Sequence, residues 1–229
     1  MKLCVPAAVV VCILAGWTPA AAQGQSPVAA GTSDLYHVHF TKAAPGQAAA
    51  LGKALMTPDA TSPMPDHFVV LRHQEGDDWD YVVIQHLGPK AAVSAGPAPA
   101  NPARDLRAWH DDTFANGPSW AEFTKAMGSA SPGMVYIVGV QRAVPGHRDQ
   151  LQKSLSAPAA SSKIETGNVL LEHVEGGNWN YLTITRYNSW QDLGADRAAA
   201  AAAPDSAGGW ADLRQHSAFH RDTIADRIK

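Results

Sequence analysis

The stretch YHVHFTKAAPG, Tyr36 to Gly46, reappears one hundred positions later as YIVGVQRAVPG, Tyr136 to Gly146. The same frame extends outward from it. Leu51, Lys53 and Leu55 recur as Leu151, Lys153 and Leu155. Val69, Leu71, His73, Glu75, Gly76, Trp79, Tyr81 and Ile84 recur as Val169, Leu171, His173, Glu175, Gly176, Trp179, Tyr181 and Ile184. Farther on the shift becomes 110, because the second copy carries an insertion around Ala198 to Ala203. There Arg104, His110, Asp112, Thr113 and Ala115 match Arg214, His220, Asp222, Thr223 and Ala225. Chance does not produce that many matches in one frame. Two copies are too few for a solenoid, so the chain reads as a paired fold.

Each copy opens with an alternating strand, Leu35 to Thr41 and Val135 to Gln141, and turns at Pro-Gly into a helix. Two strands follow, joined through Glu75-Gly-Asp-Asp78 and Glu175-Gly-Gly-Asn178, both good turn chemistry. A helical region is expected next, ending in Trp109–Phe114 and Phe219–Ile224, with loops or frayed helix around Pro97–Pro102 and Ala198–Gly209. In the third strand Val82, Ile84, Leu182 and Ile184 make one aliphatic face; the second strand is apolar on both faces, Val69 and Leu71 against Phe68 and Val70. A strand apolar on both sides is covered on both sides. Helices cover one side, and the other copy is the natural cover for the second.

The 229 residues carry a net charge of −3. No basic run appears, so neither nucleic acid nor an anionic membrane is an expected partner. Lys2, the short apolar stretch Val5–Gly16 and the small residues Ala20–Ala22 read as a signal peptide over 1–22, with a flexible segment over 23–33. A secreted or periplasmic protein follows. Cys4 and Cys12 lie inside that signal, so the mature chain holds no disulfide, catalytic thiol or thiolate metal site. The first repeat spans 34–130 and the second 131–229.

Doubled in one chain, this β-α-β-β-α order resembles the dimeric α+β barrels, whose ferredoxin-like units pair sheet to sheet around a cavity. The resemblance implies an α+β fold: two tandem ferredoxin-like βαββα(β) units with antiparallel sheets packed face to face as an intramolecular pseudo-dimeric barrel. Because the pair is complete within the chain, a monomer is expected. The family unit usually ends in a fourth strand, and none is legible after Ile224. Members include cofactor-free monooxygenases, haem-handling enzymes, isomerases and binding proteins, and fold alone does not choose among them.

Histidines are the most suggestive residues. His37 and His39 share one strand face roughly 7 Å apart, and their counterparts are Ile137 and Gly139. If Val38 and Phe40 take the helix-packed face, His37 and His39 point between the sheets. There they would join Trp79 and Tyr81, with Gly139 leaving room and Trp179, Tyr181 and Thr183 forming a wall. His37 or His39 is then the candidate general base and Tyr81 the hydrogen-bond donor. His73 and His173 are further ligand-binding candidates able to meet across a pseudo-twofold axis. His216 and His220, one turn apart on an expected helix, are weak metal candidates, since zinc normally takes three or four protein ligands. Asp112 and Asp222 are expected to orient a neighbouring side chain or to bond locally. No Gly-rich phosphate loop and no G-x-S-x-G elbow occurs. The leading expectation is a binder of a small-molecule ligand in the cavity between repeats. The alternatives are a cofactor-free monooxygenase- or isomerase-like enzyme and, more weakly, haem binding through His73, His173, His110 or His220. No cofactor is predicted; haem or a metal is left open.

Overall fold

The computed structural model describes residues 33–60, 62, 64–90, 103–156, 164–203 and 209–229. The segment read as a signal peptide and all but the last residue of 23–33 lie outside the described residues, as does the expected loop at Pro97–Pro102. The fold is α+β. Its strands are β1 (Asp34–Ala43), β2 (Phe68–Glu75), β3 (Tyr81–Pro89), β4 (Arg107–Gly117), β5 (Val135–Ala143), β6 (Gly167–Glu175), β7 (Tyr181–Tyr187) and β8 (Ser217–Arg227). Its helices are α1 (Ala48–Leu55), α2 (Trp120–Met127), α3 (Arg148–Ser156), α4 (Trp190–Ala202) and α5 (Trp210–His216). No helix among the described residues is long and apolar enough to cross a membrane.

All eight strands form one antiparallel sheet closed into a barrel in the order β1-β3-β2-β8-β5-β7-β6-β4. Closure leaves no strand edge unpaired. Within each half the last strand flanks the first, so that both halves run fourth, first, third, second. The halves meet at two seams, β2 on β8 and β4 on β6.

This arrangement corrects the helical reading of Trp109–Phe114 and Phe219–Ile224, which are the missing fourth strands β4 and β8. Their alternation is clear once sought. Thr113 and Ala115 are buried while Asp112 and Phe114 are exposed, and Thr223 and Ala225 repeat the buried pair. Polar residues on both faces near the strand starts hid the period of two. The Ala198–Ala202 run belongs to α4.

The barrel interior is one continuous core. Tyr36, Val38, Val82, Ile84, Leu71, Tyr136, Val138, Leu171, Leu182 and Ile184 are all at most 1% exposed and belong to a single cluster. The outer face is covered by helices. Leu51 of α1 packs with Phe68, Val70 and Tyr81, while Leu193 of α4 packs with Val135, Ile137 and Tyr187. The hairpin turns lock the halves reciprocally. A Cβ at Gly76, where φ is +130°, would lie 2.6 Å from the Asp222 carbonyl oxygen; one at Gly176, φ +111°, would lie 2.2 Å from that of Asp112. Only glycine combines that backbone with that approach. Beside them the Asp77 and Gly177 amides donate to Thr223 and Thr113 hydroxyls at 3.2 and 2.8 Å.

Candidate functional site

The interior takes Val38 and Phe40, so His37 and His39 lie on the outer face of β1. The pocket expected from His37, His39, Trp79 and Tyr81 therefore does not form. The error lay in which apolar face counts as core: the aliphatic face of β1 and β3 meets the other half, and the mixed face meets helices. Trp79 and Tyr81 also separate. Strand β3 begins at Tyr81, and the bend at Asp80 places Trp79 in the interior and Tyr81 outside. Asp80 Oδ2 accepts from the Ala43 amide at 2.7 Å, as Asn180 Oδ1 accepts from Ala143 at 2.8 Å. Tyr81 and Tyr181 hold helices in place. Their hydroxyls donate to the first carbonyls of α1 and α3, Ala48 and Arg148, at 2.8 and 3.1 Å. Thr183 is on the outer face too, and Gly139 opens no room. A Cβ there would meet Thr183 Oγ1 at 2.6 Å and Asp222 Oδ1 at 2.9 Å.

His216 ends α5 and His220 follows in the extended β8, so the two do not share a helix face. His216 Nδ1 instead lies 3.0 Å from His147 Nδ1, and His220 Nε2 lies 2.8 Å from Asp222 Oδ1. His73 and His173 face inward, and their rings meet Trp79 and Trp179 edge-on at 5.7 and 5.5 Å. The buried Nε2 of each has no hydrogen-bond partner.

Two sites emerge. The first is a cavity of about 310 Å³ at one end of the barrel, shared by both halves. Eight of its eleven lining residues fall into matched pairs: Phe40 and Val140, Trp79 and Trp179, Trp109 and Phe219, Asp111 and Arg221. The backbone symmetry is thus loaded with opposite charge at its rim. Arg221 pairs with Asp77 across the halves. Arg142 and Arg221 stack on Phe219 with guanidinium carbons 5.6 and 5.4 Å from the ring centre. Arg142 makes no ion pair among the described residues. Trp179 is 5% exposed, and its Nε1–H has no acceptor.

The second site is the histidine cluster outside β1 and β4, which pair antiparallel with His39 opposite Asp112. The register brings three imidazoles to one carboxylate. His37 Nε2 and His39 Nδ1 lie 2.9 and 2.6 Å from Asp112 Oδ1, and His110 Nδ1 lies 2.8 Å from Oδ2. Burial is the largest influence on His39 and pushes its pKa below the ordinary histidine value, against the pull of Asp112. Burial raises the Asp112 carboxyl, but the hydrogen bonds and charge of His37 and His39 together outweigh it and hold it well below the usual carboxylate range. Asp112 is thus the orienting group that the sequence suggests, with His110 as an additional partner.

A buried relay at β3 had no signal in the repeat: His86 Nε2 lies 2.7 Å from Asp34 Oδ2, and His67 Nδ1 lies 3.2 Å from His86 Nδ1. Trp120 stacks on both rings. The cavity rim, Asp111, Arg142 and Arg221, was also missed. The signal for Asp111 and Arg221 was the alternation that marks β4 and β8, and Arg142 continues the inward face of β5.

No protein-family model and no curated protein matches the chain. Solved structures do. An anthrone oxidase-like protein superposes with a TM-score of 0.59 at 11% identity, covering 87% of this chain and 93% of that one. A candidate monooxygenase of Fusobacterium nucleatum gives 0.58 at 8% identity, covering 86% and 94%. At such identities the likeness is one of fold alone.

Proposed function

We propose that this chain is a fused pair of ferredoxin-like units that binds a planar aromatic ligand, bearing an anionic or hydrogen-bond-accepting group, in the cavity at the barrel end. The hundred-residue self-match and the equal strand order of the two halves support the duplication. The apolar N-terminal stretch supports export to a secreted or periplasmic location, and a barrel completed within one chain supports a monomer. The observation that carries the ligand reading is Trp179. Its buried Nε1–H lacks an acceptor in a cavity walled by aromatic rings. An unmade buried hydrogen bond costs on the order of 1–3 kcal/mol, which a ligand oxygen recovers once a small shift of the hairpin at Gly177 uncovers that atom. Facing aromatic walls suit a flat π-system, and Arg142 at the rim suits an anionic substituent.

Titration of tryptophan emission with 2-naphthoate tests this. Saturable quenching is expected, weakened at least tenfold by Trp109→Ala. Arg142→Gln should weaken 2-naphthoate but leave uncharged 2-methoxynaphthalene unchanged. Absence of saturable quenching, or equal affinity in Trp109→Ala, contradicts the reading.

A second reading is oxidation of such a ligand by molecular oxygen without a cofactor. The fold shared with an anthrone oxidase-like protein supports it. His73 and His173 adjoin the Trp79 and Trp179 walls with unpartnered Nε2 atoms, and either accepts a substrate proton only once those walls move aside. Oxygen uptake with anthrone, lost in His73→Gln or His173→Gln, is the expected result; binding of anthrone without uptake leaves the binding function alone.

A further inference from the structure

The outer histidine cluster is not needed for the end cavity, and it exists in one half only. Where the first half has His37 and His39, the second has Ile137 and Gly139. The equivalent Asp222 serves His220 and Arg197 instead. We propose that His37, His39 and Asp112 form a site for a divalent first-row transition metal ion.

Their three donor atoms lie within 4.8 Å of one another, the one such group of three among the described residues. An ion with bonds of about 2.1 Å holds tetrahedral donors about 3.4 Å apart. The two imidazole nitrogens already straddle Asp112 Oδ1, so small side-chain rotations admit an ion between them. Two imidazoles and one carboxylate are the donor set of open zinc and non-haem iron(II) sites, which keep a position for water. Water can reach this one, because the His37 and Asp112 side chains are 28% and 41% exposed. The rigidity comes from β1 and β4, whose pairing fixes all three Cα positions. His110, on Asp112 Oδ2, is the outer partner that orients the carboxylate.

Arg107 opposes the ion. Its Nη1 lies 3.0 Å from His39 Nε2. Guanidinium can only donate, so Nε2 accepts, and Nδ1–H donates to Asp112. A metal on Nδ1 requires the proton to move to Nε2, which breaks the Arg107 bond. The site therefore discriminates by strength: an ion must offset both that bond and the nearby positive charge. Imidazole-seeking zinc(II) can do so, whereas magnesium(II) and calcium(II), which prefer oxygen, cannot.

Calorimetric titration of the purified full chain with zinc(II) after chelator treatment tests the proposal, with cobalt(II) absorption reporting the donor set. One equivalent should bind to this cluster. His37→Gln and Asp112→Asn should each weaken it at least tenfold, and Arg107→Gln should tighten it several-fold. His216→Ala, which removes the separate His147–His216 pair, should leave that equivalent unchanged. Each variant's thermal melt in chelator establishes that it is folded; the two weakening substitutions are at partly exposed positions, and one folded variant suffices. No saturable binding, binding unchanged in a folded His37→Gln or Asp112→Asn, or binding weakened by Arg107→Gln overturns the proposal. Failure here leaves the aromatic ligand of the end cavity untouched.

Discussion

The outer faces of the two halves share one backbone and carry different loads. Outside β1 and β4, three histidines, an aspartate and an arginine form a polar cluster. Outside β5 and β8, the same positions hold Ile137, Gly139 and Asp222, closed by Thr183 and by Arg197 from α4. The interior faces differ far less: Tyr36 matches Tyr136, Val38 matches Val138, and both tryptophans of the hairpins are buried. Symmetry has been kept where the halves must fit each other and lost where each meets solvent and helices. The end cavity lies between these extremes. Its aromatic layer is paired, while Asp111 and Arg221 at the rim are opposite in charge.

The largest effect should come from the shared layer. Trp79→Ala and Trp179→Ala remove buried aromatic side chains and should each cost about 3–5 kcal/mol. Chemical denaturation should show a single transition in both variants, because the barrel joins the halves at two seams; two separated transitions would show that the halves are independent. Next is an attempt to copy one half onto the other. Gly139→His should cost about 1–3 kcal/mol in thermal unfolding, because the added side chain overlaps Thr183 and Asp222. A neutral result would mean that the second outer face is as adaptable as the first.

The acid response separates the halves more finely. His39 has a folded pKa below its ordinary value, so the unfolded chain takes up the proton first. Its contribution is present above the unfolded value, near pH 6.5, and declines as pH falls from there toward the folded pKa. His39→Gln should flatten the stability profile over that window in chelator, and an unchanged slope would contradict the buried neutral imidazole. The smallest effect belongs to the exposed ion pair of Arg72 with Asp226 at the β2–β8 seam, 2.7 Å. Arg72→Ala should cost less than about 1 kcal/mol in urea unfolding; a larger loss would make that seam depend on charge rather than on backbone pairing.

The first three strands of each half and the first helix were legible because hydrophobic period and turn chemistry agree there. β4 and β8 were not, since His110, Asp111 and Asp112 in one and His220, Arg221 and Asp222 in the other put polar groups on both faces. Their burial pattern depends on contacts with the other half, which no local period records. The same gap inverted the site. Val38 and Phe40 are apolar on any reading, but whether they meet a helix or a second sheet is decided by closure of the barrel. The Asp80 and Asn180 bends then moved Trp79 and Trp179 off the face that strict alternation assigns. What survived was the asymmetry of His37 and His39, correct as a distinction between the halves and wrong as to which side of the sheet it faces.

The most direct test of the central claim is a crystal structure of the full chain with 2-naphthoate. The ring should lie in the end cavity between Trp109 and Phe219, with its carboxylate reached by Arg142 or Trp179 Nε1. An end cavity without naphthoate, or naphthoate bound only on the outer faces, would contradict it.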